Sequence, residues 1–265
     1  MARTLATFDD VELGDHICWH PDSAGANHAG VLAYVADGAL YGDKIVVAAT
    51  GAVPGLPRDA VPSASVILDP QRVADPDSLL AAVRREARTA VREGYRSVRV
   101  LTERPPSAAP GDAEELVAQE LRLDEFASET NAIVVCAFRP SRWDGPTLDH
   151  VAGVHPHEMG IRAERPAFRM YSAGADVWSV DGVIDSEGAD AFHTAMRAAT
   201  RFSPKVTLRF DALEMIDAAG MHALVDAARR LPDRRVVVEG ANDTVRLCWQ
   251  LAGYATAAVP VVMAA

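Results

Sequence analysis

The sequence predicts an α/β fold in two domains, and three features of its patterning carry that expectation. From residue 26 onward strand-like and helical stretches alternate, the order that builds a mainly parallel sheet covered by helices. The alternation lapses over His155–Phe168, where Pro156, Gly160 and Pro166 mix with charged residues, and it restarts beyond. The chain has 265 residues, room for two modest cores, since single domains usually take about 100–200 residues. The expected organisation is a domain over 1–160, a linker over 161–167 and a smaller domain over 168–265.

Each element has its own local signal. Asn27–Tyr41 sets Val31, Leu32, Val35 and Leu40 at near-helical spacing, Gly42 suits a left-handed stop, and Lys44–Ala49 reads as a buried strand. Ser65–Leu68 is a short strand. Asp75-Pro76 offers a cap and a first-turn proline to a helix running through Leu79, Leu80, Val83 and Val91 to Gly94. Ser97–Leu101 is a strand. Asp112 with Glu115 resembles a capping box for a helix through Leu116, Leu121 and Phe126, and Ala132–Phe138 is an apolar strand. In the second domain, strands are expected over Val177–Ile184, Val206–Phe210, Arg235–Val238 and Ala257–Val262. Helices are expected over Ala189–Thr200, capped by Ser186, and over Ala218–Leu231 and Asn242–Leu251.

Charge and cysteine content narrow the function classes. A net charge of −11 repels a phosphate backbone, so direct nucleic-acid binding is not expected. The acidity is concentrated in the first 167 residues, which carry 16 basic and 25 acidic side chains, a net −9. Cys18, Cys136 and Cys248 show none of the close pairing of a zinc ribbon or disulfide framework, which fits a reducing compartment. The start has no basic-then-apolar signal pattern and the apolar runs fall short of the ~20 residues of a membrane span, so a cytoplasmic protein off the membrane is expected.

In the second domain the segment VTLRFDALEMIDAAGMHALVDAARRL places a buried strand and Asp217-Ala218-Ala219-Gly220 directly before a helix. Such a turn leaves unpaired backbone N–H groups and partial positive charge, a place for a polar switch or a partner contact. Asp217 could equally be no more than a cap. Met215, Met221, Leu224 and Leu251 read as core, His222 and Asp226 as solvated face, and Cys248 as a small buried residue. With VDGVID (Val180–Asp185) and RRVVVEGANDTVRLCWQLAGY (Arg234–Tyr254), the region resembles the STAS domain of anti-sigma-factor antagonists. That resemblance implies a partner surface at Asp217, Ala218, Ala219, Gly220 and Met221. It also implies a partner: an anti-sigma factor or a histidine-kinase-like protein. Relatives commonly carry a kinase-phosphorylated serine or threonine after the turn aspartate; here that residue is Ala218, so the charge of roughly −1.5 to −2 that a phosphate adds is not available there.

Residues 10–160 resemble the MEDS sensory domain, on Gly14-Asp15-His16-Ile17-Cys18, YGDKIVVAAT, Glu103, Glu120 and VVCAFRPSRWDGPTLDHVAGVHP (Val134–Pro156). The resemblance implies a RecA-like parallel sheet and a small-molecule or state sensor. The stretch HPDSAGANHAG lacks the lysine of a phosphate-binding loop, which excludes ATP hydrolysis of that type, and no cofactor is expected. Ligands of open parallel sheets bind beyond the carboxyl ends of the strands, making Thr50, Asp69, Glu103 and Arg139 pocket candidates. Glu103 and Glu120 are pocket or network carboxylates rather than an acid and base pair. His16 and Cys18 leave one face of a strand, and with Cys136 and His155 they could hold zinc or haem. The spacing is not that of structural zinc, so it favours a polar pocket wall with buried thiols.

The expected function is therefore a non-enzymatic, two-domain regulator, its second domain binding a protein under control of the first, with self-association open. Two other readings remain: a metal- or haem-dependent sensor or enzyme using His16, Cys18 and Cys136, and a scaffold of a stress-signalling assembly.

Overall fold

The structure is a computed structural model of the chain and describes residues 3–21, 28–49, 62, 64–68, 76–103, 106, 112–160, 165–201, 203, 205–230 and 235–264. It is a mixed α/β protein with two sheets. The first is built from β1 (Arg3–Leu5), β2 (His16–His20), β3 (Lys44–Ala49), β4 (Val66–Leu68), β5 (Val98–Glu103), β6 (Ile133–Ala137) and β7 (His157–Gly160). Its order is β1-β7-β2-β6-β5-β3-β4 and every pairing is parallel. The connecting helices are α1 (His28–Leu40), α2 (Pro76–Glu93), α3 (Asp112–Thr130) and α4 (Gly145–Ala152).

A parallel sheet covered on both faces selects apolar residues at every position of its central strands. The IVVCA run of β6 is buried throughout. Alternation then divides it: Ile133, Val135 and Ala137 join Ile17 and Trp19 of β2 in a core that includes Val31, Tyr34 and Val35 of α1. Val134 and Cys136 join Cys18 in a second core with α2, Leu123 and Phe126 of α3, and α4.

The second sheet contains β8 (Phe168–Gly174), β9 (Val177–Ile184), β10 (Lys205–Arg209), β11 (Leu213–Ile216), β12 (Arg235–Glu239) and β13 (Val261–Met263). Its main path is β11-β9-β10-β12-β13, all parallel, and β8 pairs antiparallel with β9. The helices are α5 (Ala189–Thr200), α6 (Ala218–Arg229) and α7 (Asp243–Leu251).

The α3 helix belongs to both halves. Leu116, Leu123 and Phe126 face the first sheet, while Val117, Ala118 and Leu121 enter the core of the second. The helix packs against α5 and β8. Ion pairs ring this apolar contact: Glu114 with Arg197 at 2.8 Å, Glu115 with Arg201 at 2.6 Å, and Glu158 with Arg169 at 2.7 Å.

Several elements depart from the sequence expectations. The non-periodic stretch contains β7, and β8 follows it directly. Strand β7 offers no apolar run because its buried His157 and Glu158 are matched by ionic partners, Asp15 at 3.1 Å and Arg169. Gly160 ends β7 at φ +97°, where an added Cβ would lie 2.1 Å from the His20 carbonyl oxygen, so only glycine fits. Asp185, not Ser186, accepts the N–H groups of Glu187 and Gly188 before α5. Helix α3 already includes Asp112, and Glu115 is turned outward to Arg201. The expected Asp75 cap lies outside the described residues. On α7 the buried stripe is Val245 and Trp249, which leaves Leu251 78% exposed and Cys248 at the surface rather than in the core. Met215 is likewise 45% exposed, because β11 buries only its end residues, Leu213 and Ile216.

Candidate functional site

The pleat of β2 sends His16, Cys18 and His20 toward the face covered by α3. There His16 meets Glu120 of α3, Cys136 of β6 and His155 from the turn after α4, and all four side chains are buried. Glu120 Oε2 lies 3.3 Å from both His16 Nε2 and His155 Nε2, and Cys136 Sγ lies 3.5 Å from His16 Nε2. The four donor atoms all fall within 4.8 Å of one another. The imidazole rings stack with centroids 4.0 Å apart.

Neighbouring groups fix the roles of the ring nitrogens. His155 Nδ1–H donates to the Val151 carbonyl at 2.7 Å, so its Nε2 lone pair faces the cluster. His16 Nδ1 lies 3.4 Å from Asp124 Oδ1, one helical turn from Glu120. Buried Glu120 Oε2 and His155 Nε2 have no hydrogen-bond partner. Burial opposes charge on His16, but the Asp124 and Glu120 carboxylates outweigh it and raise its pKa to about 9. Burial would raise the Glu120 carboxyl, yet the charge of neighbouring His16 holds it well below the usual range. Burial and the His16 charge together push His155 down. The directions describe an imidazolium at His16, a carboxylate at Glu120 and a neutral imidazole at His155.

Two sequence expectations resolve differently. Of His16, Cys18 and Cys136, Cys18 is not among the four clustered donors: it sits one pleat beyond His16, in register with Cys136, and its Sγ lies 3.4 Å from His20 Nε2. Among the strand-end candidates, Glu103 and Arg139 come together as an ion pair, with Nε–Oε1 at 2.6 Å and a hydrogen bond donated by Nη2 to Oε2 at 3.2 Å. Register places Glu103 beside Ala137, on the sheet face opposite Cys136, so Glu103 and Glu120 lie on different faces. Thr50 and Asp69 lie outside the described residues.

In the second half, Asp217 is the N-cap of α6, its side chain accepting the Gly220 N–H at 2.9 Å. Its own N–H donates to Ile184 at the end of β9, also at 2.9 Å. Ala218 is exposed at the first helical position and Ala219 is half-buried. Gly220 packs against Ile184 and Ile216 so closely that an added Cβ would lie 2.6 and 2.8 Å from their side chains. Met221 is 2% exposed in the core, so its side chain supports the turn from beneath instead of facing a partner. The surface the turn offers is therefore Asp217, Ala218 and Ala219.

Comparison with known families places both halves. Residues 15–156 match the MEDS model, described as the methanogen/methylotroph, DcmR sensory domain. The chain belongs to the MEDS family. Residues 173–258 match the STAS domain, so the MEDS domain is followed by a STAS domain. A solved structure of the anti-sigma factor antagonist SpoIIAA in its unphosphorylated form is similar, with 17% identity, a TM-score of 0.29, and coverage of 37% of this chain and 89% of that one. A comparison with curated proteins found no match. Among the described residues no helix is long and apolar enough to cross a membrane.

The MEDS cluster joins His16, Cys136 and His155, which the sequence offered as possible ligands, to Glu120, expected only as a pocket or network carboxylate, and to Asp124, which sequence reasoning passed over. The available signal was the i, i+4 spacing of Glu120 and Asp124 on one helix face. His20, Glu158 and Arg169 were also passed over. They form a second buried line toward the STAS domain: His20 Nε2 lies 3.6 Å from Glu158 Oε1, and Arg169 holds Glu158 while donating to the His155 carbonyl at 2.9 Å.

Proposed function

We propose that this chain is a non-enzymatic regulator of the anti-sigma-factor-antagonist kind, whose STAS domain binds an anti-sigma factor or kinase-like protein at the turn opening α6. The MEDS domain is its sensory half, and engagement is independent of phosphorylation at the turn. The observation that carries this reading is Ala218: an exposed methyl at the first position of α6, where a phosphorylatable relative would present a hydroxyl. Neighbouring Asp217 is committed to capping the helix. Without that hydroxyl, binding is constitutive or is controlled by the other domain or by expression level, and the continuous core between α3, α5 and β8 supports control by the other domain.

The test is binding of the full-length protein to purified kinase-like anti-sigma proteins, with and without ATP, beside an Ala218→Glu variant. A carboxylate in the first turn of a helix is tolerated or stabilising, so the variant tests docking rather than folding. The wild type is expected to bind equally with and without ATP, and Ala218→Glu to bind at least about tenfold more weakly, the scale of about 1.4 kcal/mol. Failure of the wild type to capture any such protein, or its release on addition of ATP, removes the reading.

A further inference from the structure

We propose that His16, Glu120, Cys136 and His155 bind one divalent transition-metal ion of the zinc type, with all four coordination positions supplied by the protein. The distances support this geometry. Tetrahedral zinc, with bonds of about 2.0–2.2 Å to nitrogen and oxygen and about 2.3 Å to sulfur, separates two N/O donors by about 3.4 Å and nitrogen from sulfur by about 3.6 Å. The two His–Glu separations of 3.3 Å and the Cys–His separation of 3.5 Å match those edges. The remaining donor pairs lie within 4.8 Å, and binding would turn the stacked His16 and His155 rings so that both Nε2 lone pairs converge on the ion.

The chemistry points the same way. Two imidazole nitrogens, one carboxylate and one thiolate form a borderline-soft donor set, unsuited to calcium or magnesium, which prefer oxygen alone. The Val151 carbonyl holds the proton of His155 on Nδ1 and leaves Nε2 as a donor. Asp124 stands 3.4 Å behind His16 Nδ1, the position from which a carboxylate orients a metal-bound histidine. With its proton on Nδ1, buried His155 Nε2 has no hydrogen bond and lies 3.3 Å from another acceptor, Glu120 Oε2, an arrangement that costs stability unless a cation binds between them. Four protein donors leave no open position for substrate, so the site is structural or sensory rather than catalytic.

The ion would join β2, β6, α3 and the turn after α4. Two of those pieces touch β8 of the STAS domain directly, through Asp124 to the Ser172 N–H and through the His155 carbonyl to Arg169. That the ion conditions partner binding rests on the regulator reading above; that it binds does not.

The full-length protein, purified anaerobically under reducing conditions, is titrated with Zn²⁺ and, separately, with Co²⁺ as a spectroscopic probe. One equivalent is expected to bind. Cobalt should give a thiolate-to-metal charge-transfer band and the intense visible bands of a four-coordinate ion. Cys136→Ser should lose the charge-transfer band, while Cys18→Ser and Cys248→Ser keep it. Asp124→Asn should weaken binding by about 10–100-fold. Absence of stoichiometric metal in the wild type, or a cobalt spectrum without the thiolate band, overturns the proposal even if Cys136→Ser does not fold. No partner protein is needed, so this outcome is independent of the docking experiment.

Discussion

Asp124 of α3 accepts the backbone N–H of Ser172 on β8 with one carboxylate oxygen while the other stands 3.4 Å from His16. A single buried side chain thus touches the MEDS cluster and the first strand of the STAS sheet. Because β8 pairs along β9, and β9 ends at Ile184 beneath the Asp217 turn, the link is continuous in structure from cluster to docking surface.

Asp124→Ala removes that link and leaves a half-buried N–H without its acceptor. The expected cost is about 1–3 kcal/mol of stability. Hydrogen exchange should accelerate at the amides of β8 while those of β12, at the far side of the second sheet, stay slow. Unchanged exchange at β8 would show that the carboxylate does not hold the strand.

The α6 turn separates packing from docking within three residues. Gly220→Ala drives a methyl into Ile184 and Ile216 and should cost about 1–3 kcal/mol in urea unfolding. Ala218→Ser, at an exposed position, should stay within about 0.5 kcal/mol of wild type. Equal stability of both variants would contradict the packing described for the turn.

Restoring a hydroxyl also tests the partner class. If a kinase-like anti-sigma protein docks on this face, Ala218→Ser becomes a phosphate acceptor in the presence of ATP, detectable as a mass increase on the peptide bearing residue 218. A serine left unmodified by every such protein tested counts against kinase docking.

Acid should unfold the protein partly through Asp43. Its burial would raise its pKa, but hydrogen bonds from Arg96 and Arg99 outweigh that and hold it below 3.8. The unfolded chain then takes up the proton first. The pair's contribution is complete above about pH 4 and fades as pH falls through the lower folded value. Asp43→Asn should flatten the acid limb of the stability curve. At neutral pH it should cost about 3–5 kcal/mol, since it strips the charge partner from buried Arg99. Denaturation from about pH 3 to pH 7 checks both effects; parallel curves for wild type and variant would rule out the assignment.

Elements whose residues answer only to local period were legible in advance. The apolar run of β6, the helical spacing of α5 and α6 and the missing hydroxyl at Ala218 could each be read directly. The α/β alternation and the resemblance of each half to its family followed from the same signals.

What the chain order could not reveal is which distant residues meet. Strand β7 escaped notice because two of its three buried positions, His157 and Glu158, are polar, and their partners Asp15 and Arg169 come from other elements. The four donors of the cluster are spread from residue 16 to residue 155, and Cys18, the residue nearest His16 by spacing, turned out to belong to His20 instead. Local sequence sets backbone conformation because propensity and periodicity act over a few residues. The cluster and the shared core of α3 were decided by sheet register and helix packing, which act between residues far apart in the chain.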